Sequence, residues 1–136
     1  MASGLPADAP AWAQQLLATV NRVDTNVTQL TERVTQLTAT TSAGLYNAHA
    51  RVSNSLADFA TALMPLQKEV AGVPAGAPVG ALPPADMFPP TRRALQKLTG
   101  AALDSLQNHY NQLFAGAVLD QRRNAFAAYI GAPAVH

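Results

Sequence analysis

Cysteine is absent from this 136-residue chain, which removes disulfides, thiol nucleophiles and thiolate metal sites from consideration. Charge is scarce as well. Asp, Glu, Lys and Arg make up 12% of the residues, about half the usual share. Nine basic side chains face eight acidic ones, and a net charge of +1 gives no strong field. That argues against nucleic-acid binding through bulk electrostatics. Isoleucine occurs once, at Ile130, and no window alternates with period two for long, so β-structure has little support. No apolar run approaches the ~18–20 residues of a membrane span. Met1 to Ala13 lack the basic start and apolar core of a secretory signal. The expectation is an intracellular chain, cytoplasmic or nuclear, without a transmembrane segment.

The residues that are plentiful favour helix. Alanine occurs 28 times and leucine 16 times, and both are good helix formers. The fold class read from this is all-α: a long N-terminal coiled-coil-like helix plus a C-terminal helical bundle, joined by a Pro/Gly-rich crossing segment. Residues 1–11 read as a disordered N-terminus, with Pro10 placed in the first turn of the next helix. Residues 12–71 read as one long or kinked coiled-coil-like helical segment. Residues 72–90 hold six prolines and three glycines and read as a linker lying across a helical surface. Residues 91–131 read as C-terminal helices packing on 45–71. Thr91 is their N-cap, Gly131 their stop, and 134–136 a loose tail.

The clearest pattern runs through Leu16, Val20, Val23, Val27, Leu30, Val34 and Leu37, spaced 4, 3, 4, 3, 4, 3. A 3.5-residue repeat keeps a stripe facing a partner through a left-handed supercoil. Valine falls at a and leucine mostly at d, the preference of a parallel pair. The flanking positions Asp24, Asn26, Thr31, Arg33, Thr38 and Thr40 offer almost no opposite-charge pairing, so oligomer number is weakly encoded. The outer face is rich in threonine, a mediocre helix former, so burial of the seam must hold the helix.

A second run, Val52, Leu56, Phe59, Leu63, Leu66 and Val70, steps 4, 3, 4, 3, 4 and extends the helical reading. Between the runs, Ser42–Gly44 either breaks the helix into a hairpin or leaves it continuous; the continuous or merely kinked form is preferred. A continuous helix carries Leu37, Thr41, Leu45, Ala48, Val52 and Leu56 on one face. Pro65 must kink or interrupt this second stretch. Further on, Leu95, Leu98, Ala102, Leu106, Tyr110, Leu113 and Ala117 read as one apolar face. Val118, Leu119, Phe126, Tyr129 and Ile130 read as the inner face of a last helix.

Sites of chemistry are not encoded locally. His49, His109 and His136 lack a ligand three or four residues away, so no metal or cofactor is expected. The eight carboxylates are unpaired at helical spacing, and no phosphate-binding or nucleophile-elbow motif occurs, so no catalytic residue is assigned. Asn26-Val27-Thr28 matches a glycosylation sequon, but its centre lies in the apolar seam. Two arginine pairs, Arg92-Arg93 and Arg122-Arg123, form a candidate contact for an acidic partner such as nucleic acid, a lipid headgroup or a peptide. Their simpler role is a solvated helix face with local ion pairs. The aromatic residues read as core.

From Tyr46 to Gly131 the chain resembles a family of small fungal proteins named for a meiotically up-regulated gene. The landmarks are Arg51-Val-Ser-Asn54-Ser55, Leu63-Met-Pro65-Leu66, Gly72-Val-Pro74, Phe88-Pro89-Pro90-Thr91, Leu106 to Tyr110, and Arg122-Arg123 ahead of Tyr129-Ile130-Gly131. The resemblance implies a helical domain after a variable, often coiled-coil-like N-terminal segment, a fungal source and no assigned activity. The function expected is a non-enzymatic, self-associating scaffold or interaction protein, a homo-oligomer with the dimer first and other protein partners open. The alternatives are an adapter using the arginine pairs and, last, a carrier of a small apolar ligand.

Overall fold

A threonine hydroxyl inside a helix can return its proton to the carbonyl four residues back, and the N-terminal part of this chain does so repeatedly. Thr19, Thr25, Thr28, Thr31 and Thr35 donate to the carbonyls of Gln15, Asn21, Asp24, Val27 and Thr31 at 2.8–3.0 Å. The computed structural model describes residues 6–71 and 76–134, and among these it is all-α. Helix α1 runs Ala11–Ser55, α2 Arg92–Leu95, α3 Gly100–Tyr110 and α4 Leu119–Ile130. Residues 1–5, 72–75 and 135–136 lie outside the description, and with them part of the expected N-terminal disorder, the landmark Gly72-Val-Pro74, and the loose tail beyond Ala134 with His136.

The chain divides into two compact units, 1–37 and 38–136, and α1 is unbroken across the boundary at Leu37. The run Ser42–Gly44 therefore does not form a hairpin. In the first unit, α1 begins after Pro10, whose carbonyl accepts from Ala13 and Gln14.

In the second unit, α1 stops at Ser55, so the helical segment expected over 12–71 is corrected to end there. The last turn tightens: Leu56 and Ala57 donate to carbonyls three residues back. Asp58 then gathers Ala60 N–H, Thr61 N–H and the Thr61 hydroxyl onto one carboxylate oxygen at 2.7–3.0 Å, turning the chain. These bonds hold the exposed carboxyl below its ordinary range. Beyond it the backbone is extended through Pro65. Leu63 N–H donates to Pro90 O, while Lys68 and the loop at 80–81 exchange two hydrogen bonds of 2.7 and 2.8 Å.

The buried face of α1 is Ala43, Asn47, Ala50 and Asn54, not the large apolar residues. Leu45, Val52, Leu56 and Phe59 are 70%, 61%, 81% and 45% exposed. Small side chains let the helix lie close to the extended segment, and the two asparagine amides satisfy its backbone. Asn47 exchanges two bonds of 2.7 Å with Gln67. Asn54 accepts from Met64 N–H at 2.7 Å and donates to the carbonyls of Met64 and Ile130.

The C-terminal helices are shorter than the sequence implies. Thr91 and Thr99 cap α2 and α3 through their hydroxyls. Asn111 takes the left-handed conformation (φ 51°) and ends α3, so the single face expected to run on to Ala117 is corrected; Leu113 is 76% exposed. In α4, Phe126 and Ile130 are buried but Val118 and Leu119 are not, a second correction. Gly131 (φ 83°) terminates α4, and Ala132 N–H returns to Ala127 O at 2.9 Å. The core joins Leu66, Leu103, Leu106 and Tyr110 to Phe88, Phe114 and Phe126. Phe126 meets Phe88 and Phe114 edge to face at 5.8 and 5.2 Å.

Candidate functional site

The seven seam residues lie on α1 within the first unit. Leu16, Val20, Val23, Val27, Leu30, Val34 and Leu37 are between 53% and 67% exposed. The described part of this unit contains no second helix that could cover them. An apolar groove of about 260 Å³ at Ala13, Leu16, Leu17 and Val20 begins the stripe. Trp12, at the same end, is 69% exposed. The hydroxyls of Thr19, Thr25, Thr28, Thr31 and Thr35 already have acceptors in their own helix, so the valine and leucine side chains have the most to gain by association.

The arginine pairs are mostly committed to partners within the second unit. Arg92 donates to Ala57 O at 3.2 Å and lies over the Phe59 ring at 4.5 Å. Arg122 binds Phe114 O at 2.9 Å and the Asp104 carboxylate at 2.7 Å. Arg123 binds Leu98 O and the Asp120 carboxylate, both at 2.8 Å. Arg93 is exposed. The structure thus spends three of the four guanidiniums on joining loops to helices.

Compared with protein-family models, curated proteins and solved structures, the chain matches none.

Of the described landmarks quoted for the fungal resemblance, Arg51, Asn54, Leu66, Tyr110 and Tyr129 take part in packing. Arg51 donates to Tyr129 O at 2.8 Å, pairs with Glu69 at 3.6 Å and lies over the Tyr129 ring at 5.1 Å. Tyr110 donates its hydroxyl to Leu66 O at 2.7 Å. Burial raises the Tyr110 phenol far above its ordinary value, and it pushes Tyr129 up to about 12. No group of three His, Asp or Glu capable of holding a metal ion occurs among the described residues. None of the described helices is long and apolar enough to cross a membrane.

Asn47 and Asn54 are the residues that sequence reasoning missed. Their signal was a second heptad series, Ala43, Asn47, Ala50, Asn54 and Ala57, spaced 4, 3, 4, 3. Its members are small or polar, so a search for large apolar residues passes over it.

Proposed function

We propose that the chain is a non-enzymatic, self-associating helical scaffold that assembles through the Val/Leu seam of α1, with a dimer as its first form. The observation that carries this reading is the exposure, above one half, of seven consecutive heptad side chains. A 3.5-residue period is useful only against a helix of the same period. A second copy of this segment supplies that period and the same a and d side chains. Burying the half of each of these seven side chains that is still exposed is worth about 10 kcal/mol per chain as an upper bound. The threonine-rich outer face adds little intrinsic helix stability, so assembly and helix formation in the first unit are coupled. The kinship with the fungal family belongs to the same proposal. Its landmarks lie in the second unit, leaving the first as the variable assembly arm.

The test is solution mass by multi-angle light scattering for the parent and for Val27→Asp with Leu30→Asp. The parent is expected as a dimer or higher oligomer at micromolar concentration, and the double variant as a monomer with less helix by circular dichroism. A monomeric parent, or a variant that keeps the parent mass, overturns the reading.

A further inference from the structure

The second unit buries a lysine without giving it a counter-ion. Lys68 is 1% exposed. Its backbone is fixed on both sides by the loop at 80–81. The ion pairs among the described residues join Arg51 to Glu69, Arg122 to Asp104 and Arg123 to Asp120; none includes Lys68. No side-chain hydrogen bond of Lys68 is formed among the described residues either. An ammonium held away from water is costly unless an anion or several acceptors compensate it.

Lys68 lines an open cleft of about 660 Å³ whose other walls include Leu82, Met87, Ser105, Asn108 and His109. That volume lies within the range of small-molecule sites, and the walls are mostly apolar with a few polar groups. A buried polar atom sits among the lining residues: His109 Nε2 has no hydrogen-bond partner. The imidazole is braced edge-on against Tyr110, with ring centroids 4.7 Å apart. Tyr110 is in turn fixed by its bond to Leu66 O, so the ring has a rigid support. Desolvation and the Lys68 charge keep the imidazole below its ordinary pKa, against the nearby Ala81 carbonyl. A neutral imidazole retains one N–H to donate and one lone pair to accept.

We propose that this cleft is a binding site for a small organic acid, a carboxylate on an apolar body, with Lys68 receiving the carboxylate, His109 adding a hydrogen bond and Leu82 and Met87 covering the apolar part. The charge decides the class. A neutral apolar ligand leaves the lysine as costly as before, and a bare inorganic anion leaves Leu82 and Met87 unused. Every residue in the site belongs to the second unit, and none is a seam residue.

The probe is sodium decanoate, titrated into the full chain by calorimetry below its micelle concentration, with 1-decanol and inorganic phosphate as comparisons. Decanoate is expected to bind one per chain and at least tenfold more tightly than either comparison. Lys68→Met is expected to weaken decanoate about tenfold or more, the worth of one charge-assisted hydrogen bond, and to leave decanol unchanged. Leu82→Asp, at a position 49% exposed, tests the same cleft without touching the core and is expected to weaken decanoate by a similar factor. Circular dichroism and melting temperature establish that both variants are folded. Equal binding of decanol or of phosphate, no binding of decanoate, or unchanged binding in folded Leu82→Asp overturns the proposal. So does sedimentation of the parent with phosphatidylserine vesicles when free decanoate gives no heat, since the anion would then be a membrane headgroup.

Discussion

Asn47 and Asn54 stand seven residues apart on the inner face of α1 and grip the extended segment at Gln67 and Met64, three residues apart. The two spacings match. Seven helical residues rise about 10.5 Å, and three extended residues span about 10 Å. Each amide presents one acceptor and two donors, which is what an extended backbone residue needs from a neighbouring strand. The helix thereby acts as the missing strand at two points, and Ala43 and Ala50 keep the approach close.

Replacing Asn54 with leucine is expected to cost about 3 kcal/mol in urea unfolding, because Met64 N–H and the carbonyls of Met64 and Ile130 lose their partner in a buried place. Asn47→Leu strands only the two backbone groups of Gln67 and is expected to cost about 2 kcal/mol. A change below about 0.5 kcal/mol for Asn54→Leu, the level of a neutral surface substitution, refutes the grip.

Two glycines with positive φ separate conformational from steric cost. Gly80 (φ 93°) has open space where a Cβ would stand, so Gly80→Ala is expected to cost about 1 kcal/mol from backbone strain alone. At Gly131 (φ 83°) the Cβ would meet Arg51 O at 2.6 Å and Arg51 Cα at 2.8 Å, both backbone atoms. Gly131→Ala adds that collision to the strain and is expected to exceed Gly80→Ala by about 2 kcal/mol or more. Paired urea midpoints measure the difference, and equal midpoints show that the chain end at 131 yields freely.

The pH dependence of stability has a definite sign at His109. Its folded pKa lies below the ordinary 6.5, so between those two values the unfolded chain binds more protons than the folded one. Stability therefore rises with pH through that window and falls as pH drops below 6.5. His109→Gln is expected to flatten this part of the profile. Asp58 acts lower down: its carboxyl is held below 3.8, so its contribution is present above that value and is lost on further acidification. Melting temperature against pH for parent and variant separates the two windows. An unchanged slope just below 6.5 in His109→Gln removes the imidazole as the cause.

Helix content, the helical stripe of the N-terminal segment and several stops were legible in the residues alone. Leu16 through Leu37 repeat at 3.5 residues because each side chain's direction is set by local helix geometry, and an exposed stripe carries no competing tertiary signal. Thr91 and Gly131 behave as read, since a cap or a left-handed stop is settled within a few residues. The segment 56–71 was not legible. Leu56, Phe59, Leu63, Leu66 and Val70 keep helical spacing, yet the chain there is turned by Asp58 and then extended, with hydrogen bonds to asparagines 10 and 20 residues away in sequence. Which face of α1 turns inward was likewise decided by close approach, so Ala and Asn displaced Leu45 and Val52. Local periodicity determined which residues could form helices. Backbone groups seeking partners far along the chain decided where the helices stop, which faces are buried and why Lys68 is enclosed beside His109.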